Sequence, residues 1–438
     1  MRSSTLRTHD KTFFATLLFV IAIIAVYVAF FNDHNSYDAV LGYCVIAINI
    51  LGMIKVRHNW YLLFIFLCIT YSNYSICAAN YISHLYSYFT GYAGTEIGSQ
   101  GIRILLLFSV LLLIVAPATY PVDIKYSRME QKSLISNNRY NPFIVIGMII
   151  LLAFIWVFGF GRPDVVGQRG SPSAIYEYSI ILLIISFYYS GKDKKLIAAT
   201  VLTCIAFSMQ NFVFGGRITG VQILIMVVLA LFIDRLKVRR AIPVGILFFV
   251  IMSGIGQLRG AILISGFNIR SIISRLANSK LALDTAYSAY YTSLTFLDEL
   301  TNTTLSTRWY LFTRWVLSMF LGGSVTDSNL SIYTRQTHVH YFGGVLPFFA
   351  WFYMGLIGIA FLMFYLRFLF ITIARVSDNS SGLVRCVTLY ITCTCLRWYL
   401  YSPSQLFRGV MLMCLVYGLC YAADSIIQKK PIRLRLRR

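Results

Sequence analysis

Three local patterns in the chain have residue types and spacing that could do chemistry. The first is Phe214-Gly215-Gly216-Arg217, where two glycines let backbone come close and an arginine heads an apolar run. The second begins at the acid pair Asp298-Glu299. It runs through Arg308, Thr313-Arg314-Trp315, Gly322-Gly323 and Arg335 to His338-Val339-His340-Tyr341-Phe342-Gly343-Gly344. The third is Arg397 and Arg408 on either side of Tyr401-Ser402-Pro403-Ser404-Gln405. The planar fork of arginine suits phosphate and carboxylate. Tyr and Trp suit the apolar faces of sugar rings. A carboxylate or histidine can take the proton of an attacking sugar hydroxyl, and arginines can stabilise a departing pyrophosphate without a metal. The combination describes sugar transfer from an anionic lipid headgroup. Arg217, Arg308, Arg314, Arg335, Arg408 and His340 are the candidate ligands for pyrophosphate and sugar, and Glu299 or His338 is the candidate base. Asp298, beside Glu299, is expected to raise its neighbour's pKa by like-charge repulsion. Each pattern also has a plainer reading: a tight turn with a snorkelling arginine, a structural histidine, or acids paired with nearby arginines.

Other chemistries lack their signatures. No GxxxxGK[ST] loop and no Asp-x-Asp pair occurs, and none of HExxH, GxSxG or SxxK stands out. The nine cysteines all lie in apolar stretches without a CxxC pair, so they read as small buried hydrophobes rather than metal ligands. No cofactor and no metal is expected.

The elements that must position these residues are membrane helices. The 438 residues are 58% hydrophobic and 12% charged, with a mean hydropathy of +0.71. A soluble domain carries roughly 25% charged residues, so this surface is not made for water. Twelve stretches are long and apolar enough to cross a bilayer, which takes ~20 residues with wide tolerance. They lie near 12–31, 39–56, 60–80, 102–120, 143–161, 174–190, 196–213, 218–234, 241–257, 345–371, 383–400 and 406–424. The expected fold is an all-α polytopic membrane protein of about 12 transmembrane helices. Residues 1–257 form a nine-helix part, 258–344 a long loop between helices 9 and 10, and 345–438 three further helices and a basic tail. The first stretch lacks an A-x-A cleavage site and reads as a retained anchor.

Charge sets the orientation. With the N-terminus inside and the helices alternating, inner segments hold 25 of the 38 Lys and Arg, and the basic tail also returns inside. That pattern accounts for the net charge of +22 without nucleic acid. Ten of the eleven lysines fall inside, whereas twelve of the thirteen outer basic residues are arginine. The long loop lies outside and is rich in Tyr and Trp. Its run Leu305–Leu321, apolar but broken by two arginines, suits a helix lying in the membrane interface.

In order along the chain, these features resemble the bacterial O-antigen polymerases of the Wzy type, which group with the O-antigen ligases. The resemblance rests on about a dozen spans and one dominant loop in the C-terminal half. It also rests on Gly215-Gly216-Arg217 before a helix, Arg314-Trp315 in the loop, Gly343-Gly344 before the next span, and Arg408 after the penultimate span. The family often has a Pro-rich patch after the loop arginine, where this chain has Leu321-Gly322-Gly323-Ser324. The resemblance implies a bacterial inner-membrane protein with both termini cytoplasmic. It implies a glycosyltransferase that joins undecaprenyl-pyrophosphate-linked oligosaccharide repeat units at the periplasmic face. A chain-length regulator and a repeat-unit flippase are the implied partners. An O-antigen ligase, or a flippase or transporter of repeat units, is the alternative.

Overall fold

The computed structural model describes residues 37–82, 92, 94–117, 133–134, 138–161, 170–214, 216–236, 270, 283–340, 343–376 and 380–428. The expected spans 12–31 and 241–257, Gly215, most of 258–282 and the basic tail from Lys429 lie outside them.

The chain folds into helices α1 (Asp38–Val56), α2 (Trp60–Cys77, with a π-helical turn to Ile82), α3 (Glu96–Val115) and α4 (Pro142–Phe158). A two-residue antiparallel ribbon, β1 (Phe160–Gly161) and β2 (Ser171–Pro172), interrupts the all-helical pattern. There follow α5 (Ala174–Glu177), α6 (Ser179–Tyr189), α7 (Lys194–Val213), α8 (Arg217–Phe232), α9 (Asp284–Asn302), α10 (Leu305–Leu321) and α11 (Leu330–Thr334). The last are α12 (Leu346–Ala374), α13 (Gly382–Cys393), α14 (Cys395–Leu400) and α15 (Ser404–Ile427). Among the described residues seven helices are long and apolar enough to cross a membrane: α1, α2, α3, α7, α8, α12 and α15. Helices α4, α6 and α13 are apolar but shorter.

The helices begin where the local chemistry stops the backbone's first amides from going unpaired. Asn59 accepts from the Leu62 amide at 3.1 Å, and Asn141 accepts from Ile144 at 3.3 Å with Pro142 in the first turn. Helices α2 and α3 are the buried centre, whereas α1 and α15 present most of their side chains outward. Outward residues such as Phe143, Phe361 and Phe364 are large and apolar, as suits a surface in lipid. Inside, polar side chains pair across helices: Asn49 Nδ2 donates to Ser109 Oγ at 3.0 Å, and Tyr399 OH donates to Asn73 Oδ1 at 2.6 Å.

Two stretches expected to be single helices are each broken. The 174–190 stretch divides at Tyr178 into α5 and α6, and 383–400 divides at Thr394 into α13 and α14. The Thr394 hydroxyl bonds back to the Tyr390 carbonyl at 2.7 Å, a contact that bends helices.

The long loop is more ordered than a loop. Its run Leu305–Leu321 forms α10 as expected, capped by Thr304 and burying only Leu311 and Ser318. Residues 284–302, expected to be loop, form α9, which packs against α2, α3 and α12. Its buried face is Ala286, Ala289, Tyr290, Ser293 and Phe296. Small and hydroxylated residues let it pack closely, and they also lower its apolar density below that of a span.

At one end of the bundle Asp424, 1% exposed, joins α15 to the segment before α4. It accepts from Arg139 at 2.7 Å, Asn141 at 2.8 Å and Gln428 at 2.7 Å. Asp424→Ala leaves these donors without their acceptor. Because Arg139 is about a third exposed, the expected loss is about 2 kcal/mol rather than the full cost of a buried pair. A lower thermal midpoint of the detergent-solubilised protein measures it.

Candidate functional site

The two helix breaks, the segment 322–329 and the start of α15 enclose a polar cavity of about 610 Å³. The breaks matter because each puts a charged side chain where a continuous span would put backbone and apolar side chains. Glu177 and Tyr178 come from the first break and Arg397 from the turn after the second. Arg397 is 7% exposed and forms an ion pair with Glu177 Oε1. The other oxygen of Glu177 accepts from Gln405 Nε2 at 3.3 Å. Arg397 Nη1 is buried without a hydrogen-bond partner. Arg408, in the first turns of α15, lies with its guanidinium carbon 5.5 Å from the Tyr178 ring centroid, a cation–π distance.

The facing wall is Gly322-Gly323 and Val325-Thr326-Asp327-Ser328-Asn329, mostly small, hydroxyl or amide side chains. Gly322 has φ +85, a backbone conformation that favours glycine, and a Cβ there would stand 3.0 Å from Arg408 Nη2 and crowd that guanidinium. Asp327, also in the wall, has φ +56 and is the one non-glycine residue with positive φ among the described residues. Its carboxylate is 3.4 Å from Tyr310 OH.

Beside the cavity runs an apolar groove of about 400 Å³. The two hollows share Trp315 and Phe349 as lining. The groove follows α12 across a kink at Gly355, with Tyr353 and Met354 before it and Gly358 and Phe361 after it. Phe361 is 66% exposed, so the groove opens on the outward apolar face of the bundle. Trp315 is fixed at the junction: its Nε1 donates to Ser404 Oγ at 3.0 Å, and its ring stacks on Tyr353.

Glu299 and His338, the candidate bases, meet, but not in this cavity. His338 Nε2 is 3.2 Å from Glu299 Oε2, and its Nδ1 is 3.8 Å from Asp298 Oδ2. Thr337 donates to Glu299 at 2.9 Å and Tyr92 OH donates to Asp298 at 2.6 Å. Burial and the Asp298 carboxylate raise the Tyr92 pKa, so the phenol keeps the proton it donates. The imidazole thus sits between the two neighbouring acids, and the group clasps the end of α9 to the segment after α11. Neither Glu299 nor His338 lines the cavity, although Ser331 and Tyr333 of α11 do.

The candidate arginines are similarly divided. Only Arg408 lines the cavity. Arg314 braces the cavity wall from outside, donating from Nε to the Thr326 carbonyl at 3.0 Å. Arg308 Nη1 is 3.4 Å from the Phe352 carbonyl, one turn before the kink of α12. Arg217 pairs with Asp284 at 2.7 Å, tying α8 to α9. Arg335 follows α11 and is exposed, whereas His340 is buried with Nε2 3.0 Å from the Thr334 hydroxyl. Sequence reasoning had paired Arg397 with Arg408 around one hairpin without placing Arg397 in the site, and it missed Glu177. The available signal for Glu177 was an acid within the apolar stretch 174–190, which demands a partner. Among the described residues no three His, Cys, Asp or Glu side chains converge as metal ligands.

No protein-family model, curated protein or solved structure matches the chain.

Proposed function

We propose that this chain is a membrane glycosyltransferase that joins oligosaccharide repeat units carried on a polyprenyl pyrophosphate. The carrying observation is the meeting of the apolar groove and the arginine-bearing cavity at Trp315 and Phe349. A lipid-linked sugar has that same sequence of parts: an apolar chain, an anionic junction, then hydroxyl-rich rings. The groove suits the isoprenoid chain, Arg397 and Arg408 suit the pyrophosphate, and the segment 322–329 offers hydrogen bonds to sugar. The acceptor hydroxyl attacks the anomeric carbon, the bond from that carbon to pyrophosphate oxygen breaks, and the arginines stabilise the departing charge.

The sequence resemblance supports O-antigen polymerisation at the periplasmic face of a bacterial inner membrane as the specific reaction. It equally supports about 12 spans with both termini in the cytoplasm, and a chain-length regulator and flippase as partners. A lipopolysaccharide gel of a strain lacking the gene, beside its complemented parent, tests the reading. Loss of the ladder with one repeat left on the core supports polymerase. Long lipid-linked chains that never reach the core indicate a ligase, and an unchanged ladder overturns the O-antigen reading.

The clasp around His338 gives a further expectation. Glu299→Gln keeps a hydrogen-bond acceptor for Thr337 and removes only a charge outside the cavity. Its transfer rate is expected within about tenfold of wild type, short of the ~100-fold loss that removing a general base brings. A membrane-vesicle assay of chain elongation, normalised to protein level, decides between the two.

A further inference from the structure

We propose that Glu177 is the proton acceptor of the transfer, and that Arg397 holds it in reserve until the donor's pyrophosphate replaces it on the guanidinium. This rests on the transferase reading above. Arg397 is buried deeply enough that it must always face an anion, since an uncompensated buried charge is costly. In the structure that anion is Glu177. The pairing is incomplete, because Arg397 Nη1 has no partner. A carboxylate on one edge of the fork thus leaves donor capacity that a pyrophosphate, with several oxygens, can fill.

The two partners differ in freedom. The side chain of Arg397 is 8% exposed and that of Glu177 25%. Glu177 also ends a one-turn helix at the break at Tyr178. The carboxylate is therefore the partner that can yield. Both its oxygens accept, one from Arg397 and one from Gln405. Once displaced by the donor it has a free oxygen within the cavity that holds the sugar. The acceptor hydroxyl oxygen then bonds to the donor's anomeric carbon, its proton passes to Glu177, and the lipid pyrophosphate leaves with the electron pair. Donor binding thereby frees the base, and an acceptor arriving first meets a carboxylate that is still occupied.

The test is Glu177→Gln in the full-length protein in nanodiscs, read two ways. Inorganic pyrophosphate, titrated calorimetrically, is expected to bind about tenfold tighter, because a charged competitor for Arg397 is gone. Transfer from a lipid-linked oligosaccharide is expected to fall about 100-fold or more. Glu177→Asp, which keeps a carboxylate, is expected to recover part of the rate. Weaker pyrophosphate binding by Glu177→Gln, or a rate within threefold of wild type, overturns the proposal alone. Wild-type protein that binds pyrophosphate yet transfers nothing overturns the transferase reading, and the proton-accepting role with it. Opposite signs for binding and rate separate this role from a structural one, which lowers both.

Discussion

Arg408→Ala is expected to lower sugar transfer about 100-fold or more while the protein still reaches the membrane at normal level. Its guanidinium lies in the cavity wall over Tyr178, close against Gly322. It therefore contributes charge where the proposed leaving group departs, and little to the packing of the bundle. Arg217→Ala makes an instructive comparison, because Arg217 is paired with Asp284. If that pair serves only to tie α8 to α9, Asp284→Asn reproduces the Arg217→Ala phenotype, whereas nothing on α9 reproduces the loss of Arg408. Elongation assays on the three variants, with quantified protein, check this. Wild-type chain lengths from Arg408→Ala would remove the residue from the site.

The second large effect is expected at Gly358. The chain turns at Gly355 with φ 58 and ψ −136, a conformation open essentially to glycine. That turn brings the Ala350 carbonyl oxygen to 2.1 Å from the place a Cβ on Gly358 would occupy. The obstacle is backbone, so Gly358→Ala must move one half of α12 relative to the other. Both halves line the groove, and Trp315 at its mouth rests on Tyr353 from the first half. Overpacking of this kind costs roughly 1–3 kcal/mol. A misplacement of about 1 Å at the junction lowers transfer about 100-fold. Gly418→Ala is the control, because nothing lies within 4 Å of the added methyl. It is expected to keep the rate and to gain up to about 1 kcal/mol from helix propensity. Thermal midpoints and elongation rates of the two variants test the contrast.

The seven long apolar helices among the described residues were legible in the sequence, because a bilayer crossing demands a long apolar run and little else. The helix at Leu305–Leu321 was legible too, from an apolar run that carries two arginines and two tryptophans. Helix α9 was not. It mixes alanine, serine, threonine and tyrosine with Leu294, Phe296 and Leu297, and hydrophobicity along the chain does not distinguish such a helix from a polar loop. Asp298, Glu299 and His338 could be picked out as residue types. Their meeting at 3.2 to 3.8 Å depends on α11 folding the chain back toward α9, which no local pattern encodes.

By its own composition and order, the sequence determined a helical protein with many apolar runs of bilayer length and one long connection. It also singled out Arg408 and the neighbouring hairpin. Only the tertiary structure decided which charges share a cavity. Spans that hydropathy reads as continuous break at Tyr178 and Thr394, and the breaks bring Glu177 and Arg397 together from positions 220 residues apart. The physical reason is that an ion pair inside a bundle is a matter of distance in space. Hydropathy measures the cost of burying each charge and carries no information about which partner offsets it.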